Sequence, residues 1–269
     1  TKHRTPWEIG GMPPFDEDTW ELYGPDDWTQ ARNLAENDPD KLRVLQRLWL
    51  IEATRHQVLP LDDRSVERFL ASLAGRPELV SGTSQILFGG MRRLSEGSVL
   101  SVKNRSHSVT AEVEVDERGA SGVIIAQGGA FGGWALYAID GKPRYCHNLL
   151  GLQRFVVEGG EILESGVHQV RMEFAADGPG LGIGGTATLF IDGSPVGDGH
   201  IDATVPLIFS GDETTDVGSD TGTPVSDQYP ARGNEFTGMV RWVQIDVGDE
   251  PADHLVHVED RLRVIMARQ

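Results

Sequence analysis

A chain of 269 residues and 29.4 kDa fills one large domain, or one domain with an appendage. Roughly 70–75% of the unfolded surface is buried at that size, so no disulfide or metal is needed to hold a core. The 24 basic against 41 acidic side chains leave a net charge of −17, a field that repels a phosphate backbone or an anionic membrane surface. Nucleic acid is therefore not an expected partner. Mean hydropathy is −0.28, and no run approaches the ~18 apolar residues of a membrane span. Cys146 is the only cysteine, which excludes an internal disulfide and any multi-cysteine metal cluster. A single cysteine fits a cytoplasmic setting better than a secreted one.

The predicted elements follow from where the glycines fall. Four of the 33 lie before Ser81, and 28 lie between Gly82 and Gly238. This places a boundary near residue 80, with an α+β segment over 1–80, a β domain over 81–248 and a helix over 249–269. The first residues, Thr1 to Trp7, are expected to continue an earlier segment. Thr19-Trp20-Glu21-Leu22-Tyr23 alternates like a short strand and closes at Gly24-Pro25. Asp38 is a helix cap with Pro39 at the first helical position. Leu42, Leu45, Leu48, Trp49 and Ala53 then recur at helical spacing up to Val58-Leu59-Pro60. A second short helix is expected from Ser65 to Ala74.

Beyond Gln85 the period changes to two. Val109, Ala111, Val113 and Val115 alternate with Thr110, Glu112 and Glu114, and the runs 122–127, 134–139, 169–175, 186–191 and 240–247 read as further strands. Asp140-Gly141, Asp177-Gly178 and Asp192-Gly193 are hairpin signals. Many short strands with frequent turns imply an antiparallel sandwich. Leu255, Val258, Leu262 and Ile265 form a closing helical stripe, with acidic residues before it and arginines at its end.

Most motifs that suggest chemistry fail on context. Gly180 to Gly185 satisfies GxGxxG but runs into a strand instead of opening a helix, so it reads as a hairpin loop. Asp220-Thr221-Gly222 is a single aspartic-protease-like triplet where that chemistry needs two, and it reads as a turn. The acidic stretch Asp212 to Asp220 offers oxygens for a hard cation, but its spacing is not that of an EF-hand, and a solvated loop is expected. His254 and His257 have no third ligand and are expected in solvent. Cys146 has no evident base and reads as a buried structural thiol. Asn104-Arg105-Ser106 is a formal glycosylation sequon.

The candidate ligand-binding loop is Gln127-Gly128-Gly129-Ala130-Phe131-Gly132-Gly133-Trp134, followed by Tyr137, Tyr145, His147 and Asn148. Glycine lets the backbone approach closely, and Phe131, Trp134 and Tyr145 supply area for stacking on sugar rings. Packing of Trp134 into the sandwich core is the competing reading.

The series His3-Arg4-Thr5-Pro6-Trp7-Glu8, Trp20-Glu21-Leu22-Tyr23, Ala31-Arg32-Asn33-Leu34-Ala35 and Val58-Leu59-Pro60-Leu61-Asp62-Asp63-Arg64 resembles the C-terminal end of bacterial arylsulfatases of the alkaline-phosphatase-like superfamily. Phe131-Gly132-Gly133-Trp134, Asp140-Gly141, Asp192-Gly193 and the run Val217 to Val225 resemble the concanavalin-like, jelly-roll β-sandwich that some long members carry there. The resemblance implies a mainly β fold and a parent activity of sulfuric ester hydrolysis. It further implies an upstream formylglycine nucleophile, an upstream Ca²⁺ site and an N-terminal catalytic portion as partner, with a sulfate ester as substrate. The formylglycine motif, Cys/Ser-x-Pro-x-Arg, is absent: none of the 14 prolines has Cys or Ser two positions before it. No catalytic residue, metal ligand or cofactor is therefore assigned to this chain, which is expected to be inactive alone. In a sulfatase His3, Arg4 and Trp7 would line the substrate cleft. Cys146 stands where the family pattern leads us to expect an aromatic residue. A stand-alone lectin-like glycan-binding module is the alternative, and an oligomerisation surface is a third possibility.

Overall fold

The computed structural model describes residues 17–59, 61, 66–248 and 254–257. The chain divides into two units at Arg68/Phe69, and each is considered by itself.

In the first unit, α1 (Pro39–Arg55) forms where the capping pattern places it: Asp38 accepts from the Lys41 N–H at 3.1 Å, and Pro39 opens the helix. Ala53 is its buried residue, whereas Val44, Leu45, Leu48, Leu50 and Ile51 are exposed. Trp20 packs edge-on against Trp49, with ring centroids 5.9 Å apart. The strand expected at Thr19 to Tyr23 does not form. An extended segment becomes a strand only beside another, and here Leu22 pairs instead with Asn33 and Leu34 of the following turn. The helix expected from Ser65 to Ala74 is broken into a 3₁₀ turn at Val66–Phe69 and a single turn, α2 (Ala71–Ala74), closed by Gly75 in the left-handed conformation.

The second unit is a mainly β, antiparallel sandwich of two sheets. Its strands in chain order are β1 (Ser84–Phe88), β2 (His107–Val115), β3 (Gly122–Gly129), β4 (Gly132–Ile139), β5 (Lys142–Leu149), β6 (Gln153–Glu158), β7 (Gly166–Ala176), β8 (Ile183–Ile191), β9 (Ser194–Ala203), β10 (Thr215–Val217) and β11 (Met239–Val247). Sheet A has the order β1-β11-β2-β7-β8-β9 and sheet B the order β10-β3-β4-β5-β6. The sequence alternation is realised in β2, where Val109, Ala111 and Val113 are fully buried, facing Val170, Met172 and Phe174 of β7 in the same layer. Ile124, Trp134, Leu136 and Tyr145 of sheet B close the core from the other side. Asp140-Gly141 and Asp192-Gly193 have positive φ at both positions, which matches the twist of the hairpins β4–β5 and β8–β9. Asp177-Gly178 instead begins a longer loop before β8.

Other parts of the chain pack on the outer face of sheet B and on one patch of the outer face of sheet A. Over sheet B, Val225 and Tyr229 of the loop after β10 pack on Val123, Ala126, Ala135, Tyr137 and Cys146. Over sheet A, Val256 packs with Ile86 and Trp242. The closing helix is not seen: residues 254–257 have no regular structure, and Val258, Leu262 and Ile265 lie outside the described residues. His254 is not a free surface histidine, because its ring stacks on Phe190 at 4.3 Å.

Candidate functional site

Register places five connections at one end of the sandwich. His107 at the start of β2 pairs with Phe174 near the end of β7, Ile183 with Ala203 across β8 and β9, and Gly133 with Asn148 across β4 and β5. The residues before β2, the β3–β4 and β5–β6 turns, the loop 177–182 and the loop 204–214 therefore share that end.

The β3–β4 turn is built to be rigid. Asn148, fully buried, donates from Nδ2 to the carbonyls of Gly129 (2.8 Å) and Ala130 (3.1 Å) and accepts the Gly151 N–H at 3.0 Å. One side chain thus ties the two neighbouring turns of sheet B together. A Cβ on Gly132 would stand 2.7 Å from the Phe209 carbonyl, so glycine is required for the turn to pass under the 204–214 loop. At its tip Phe131 is 72% exposed, and Leu150 and Leu152 of the β5–β6 turn are exposed as well.

The four candidates do not form one surface. Trp134 and Tyr145 point inward and lie 1% exposed in the core with ring centroids 6.5 Å apart, so the competing reading of Trp134 is the one realised. The reason is strand parity. Trp134 donates to Gln127 at 2.9 Å and shares the inner face of β4 with Leu136, which leaves the aromatic of the turn, Phe131, outside. Asn148 acts through the backbone of that turn. His3, Arg4 and Trp7 lie outside the described residues.

Beneath these turns is a feature that pattern reading missed. A small cavity between the sheets, with space for about one water molecule, is lined by His107 and Phe174 from sheet A and by Trp134, Tyr145 and His147 from sheet B. Lys103, Asn104, Val205 and Phe209 close it from above. Lys103 is buried, ion-paired with Glu96, and lies 4.7 Å over the Phe209 ring. Glu96 also accepts the Phe209 N–H at 2.9 Å, so this ion pair holds the roof in place.

Both histidines are kept neutral by burial. His107 donates from Nδ1 to the Arg105 carbonyl at 3.1 Å, which leaves Nε2 as a buried acceptor. Burial lowers its pKa to about 4. His147 accepts the Val205 N–H at Nε2 (3.2 Å), and burial with the nearby His107 lowers its pKa to about 3. The only sequence signal for this pair was two histidines in strand positions of inward parity.

The acidic stretch is not the solvated loop expected of it. Asp216 is buried and accepts from the Arg93 N–H (2.6 Å) and from the Thr221 N–H and hydroxyl; Asp220, also buried, accepts from the Val225 N–H (3.0 Å) and the Tyr229 hydroxyl (2.7 Å). Burial, with the charges of Asp216 and Glu213, raises the Asp220 pKa. These carboxylates fold the loop over sheet B. Among the described residues no group of three or more His, Cys, Asp or Glu side chains is arranged to hold a metal. Asn104 of the sequon is likewise engaged, donating to Pro206 and accepting from Gly182.

No family model matches the chain, and no curated protein matches it. Similar solved structures include a native heptameric SAP-like pentraxin from Limulus polyphemus, with 14% identity and a TM-score of 0.38 over 62% of this chain and 78% of that one. Domains LG4-5 of the mouse laminin alpha1 chain have 17% identity and a TM-score of 0.38, over 62% of this chain and 39% of the other. The receptor binding domain of botulinum neurotoxin type G has 12% identity and a TM-score of 0.34, over 69% and 46%. This chain spans less than half of the laminin and neurotoxin chains. Likeness at this level carries no argument about function, and the description of the sandwich rests on its own strand pairing. No helix among the described residues is long and apolar enough to cross a membrane.

The two imidazoles give the sandwich a defined acid sensitivity. Their folded pKa values lie below the unfolded value of about 6.5, so the unfolded chain takes up protons first as pH falls. Their contribution to stability is complete above about pH 6.5 and is lost on going down towards 4. Each imidazole then contributes a slope approaching ~1.4 kcal/mol per pH unit. Urea unfolding of wild type and His147→Gln between pH 6.5 and 5, above the main carboxylate range, should show a shallower slope for the variant; equal slopes would contradict the assignment.

Proposed function

We propose that the sandwich is a lectin-like module that binds a glycan at the end carrying the β3–β4 turn. The observation that carries this reading is Phe131, an aromatic side chain left in water on a turn immobilised by Asn148 and by close glycine packing. An exposed ring on a rigid mount stacks on the apolar face of a sugar with little ordering cost. The neighbouring polar carbonyls and amides of the turns supply the hydrogen bonds that fix orientation. The outer face of sheet B is not available in the same way, because Val225 and Tyr229 pack on it.

The experiment is a glycan array probed with the full chain, followed by titration of whichever glycan binds. Phe131→Ala should weaken binding at least tenfold with an unchanged near-ultraviolet circular dichroism spectrum. No bound glycan, or equal affinity of the variant, would overturn the reading. Trp134→Ala is unsuitable as a probe, because emptying that core position costs about 3–5 kcal/mol of stability.

A second reading concerns the first unit, and a specific observation favours it. We propose that the segment 1–80 completes the sheet subdomain of a sulfatase-type hydrolase whose nucleophile, Ca²⁺ site and catalytic charges belong to a preceding portion. Leu45, Leu48, Leu50 and Ile51 of α1 are exposed, and Trp20 to Tyr23 carries strand alternation in a segment that is not a strand. Both are what an element looks like when the surface that covers it is elsewhere. On this reading the chain positions substrate and contributes no covalent chemistry. Intact-mass measurement of the protein isolated from its natural source should give a mass well above 29.4 kDa; a mass equal to this chain would contradict the assignment.

A further inference from the structure

The β3–β4 and β5–β6 turns touch, and the second carries a residue that its own backbone disfavours. A Cβ on Gly151 would stand 2.8 Å from the Ala130 carbonyl and 3.8 Å from the Phe131 Cα, so the two tips lie side by side. The β5–β6 turn is closed by the Leu152 N–H, which donates to the Leu149 carbonyl at 2.9 Å. Its central pair, Leu150 and Gly151, has φ values of 53° and 70°. At the first of these positions a branched side chain is crowded by the backbone, and Gly, Asn or Asp is the residue that tolerates it.

The same chain supplies two comparisons. The β4–β5 hairpin has Asp140-Gly141 with φ of 50° and 81°, and the β8–β9 hairpin has Asp192-Gly193 with 50° and 80°. Three hairpins therefore share one pair of left-handed residues; two carry the aspartate suited to it and the third carries leucine. Core burial does not offset that cost, because Leu150 is outside the core cluster and 50% exposed. Two residues on, Leu152 is 84% exposed, beside the 72% exposed Phe131 of the adjoining tip. Neither 128–134 nor 148–153 contains a charged residue, and the exposed Gln153 is the polar side chain that follows. A strained position that holds an aliphatic group in water, next to an exposed aromatic ring, has the character of a contact surface.

We infer that Leu150 and Leu152 are specificity residues of the glycan site, forming an apolar shelf beside Phe131. The shelf selects a neutral sugar with a methyl-terminated substituent next to the stacked ring, either a 6-deoxy carbon or an acetamido group. This rests on the lectin-like reading and narrows it. Phe131 covers the apolar face of one ring; the leucines add apolar surface that a hydroxyl does not reward, whereas a methyl buried there favours binding about three- to fivefold. Acidic sugars are disfavoured, because neither tip carries a cation and the chain has a net charge of −17.

The test uses the full chain and isothermal titration with matched pairs: a galactose-terminated ligand against its 6-deoxy counterpart, and a glucose-terminated ligand against its N-acetylglucosamine counterpart. Wild type should prefer the methyl-bearing member of at least one pair by about three- to fivefold. The pair that responds tells the deoxy carbon from the acetamido group. Leu152→Ala and Leu150→Asn should each abolish the preference while the plain sugar keeps the affinity set by Phe131. Leu150→Asn should at the same time raise Tm by about 2 °C, since asparagine suits the positive φ. Selectivity lost as stability is gained separates recognition from a structural role. A wild type blind to the methyl group, a preference that survives both substitutions, or a lower Tm in Leu150→Asn would overturn the inference and leave the Phe131 reading standing. Absence of any glycan whose binding depends on Phe131 would overturn both.

Discussion

The cover that the loop after β10 places over sheet B is the constraint on which the rest of the sandwich depends. Sheet B has apolar side chains on both faces: Trp134, Leu136 and Tyr145 towards sheet A, and Ala135, Tyr137 and Cys146 away from it. A sheet of that kind is stable in water only if a second layer excludes solvent from its outer face. Val225 and Tyr229 provide the layer, and buried polar groups hold it down. Asp220 accepts from the Val225 N–H and the Tyr229 hydroxyl, while Asn234 exchanges hydrogen bonds with the Asp220 backbone at 2.9 Å in both directions. Tyr137 reaches the loop through Gln228 at 2.8 Å. The same burial pushes the Cys146 thiol up to about 12, which removes it as a nucleophile at neutral pH.

With the outer face of sheet B covered, the turns at the ends of the sandwich are left in solvent. One end combines a rigid exposed aromatic with a buried polar layer directly inside it. Lys103 and Glu96 hold the 204–214 loop, and His147 accepts from the same loop at Val205. The imidazoles of this layer are neutral, and its ion pair reaches the loop through the Phe209 N–H and ring, so the layer fixes the roof of the cavity. At the lateral edge, Gly197 and Gly199 of β9 let sheet A approach β6 so closely that a Cβ at Gly197 would stand 2.4 Å from the Glu158 carbonyl. That contact closes the edge between β6 and β9.

Much of this fold was legible in the sequence, because alternation and turn chemistry are local. Val109 to Val115 and the Asp-Gly pairs encode a half-buried strand and two hairpins without reference to anything distant. Tertiary facts were not legible in the same way. Trp20 to Tyr23 has strand alternation, but Leu22 bonds to Asn33 and Leu34 of the following turn and the segment is not a strand. β9, with Pro195, Gly197 and Gly199, has poor strand propensity and is a strand only because β8 and the nearby edge of β6 require it. The sequence leaves Trp134 open between stacking surface and core and places Tyr145 on the surface, because composition cannot say which parity of β4 and β5 faces inward; both are buried. Asp216 and Asp220 look like solvated acids until the loop folds and supplies buried N–H and hydroxyl donors. The histidine pair belongs to strands separated in sequence, and only sheet packing brings it together.

Reactivity of the single thiol tests the covered sheet most directly. Cys146 lies under Val225 and Tyr229, so native chain treated with iodoacetamide at pH 8 should remain unmodified for hours. Unfolding in guanidinium should expose the thiol to complete alkylation within minutes, with each product read by intact mass. Rapid stoichiometric labelling of the native chain, with its circular dichroism unchanged, would show that the outer face of sheet B is open and would contradict the account.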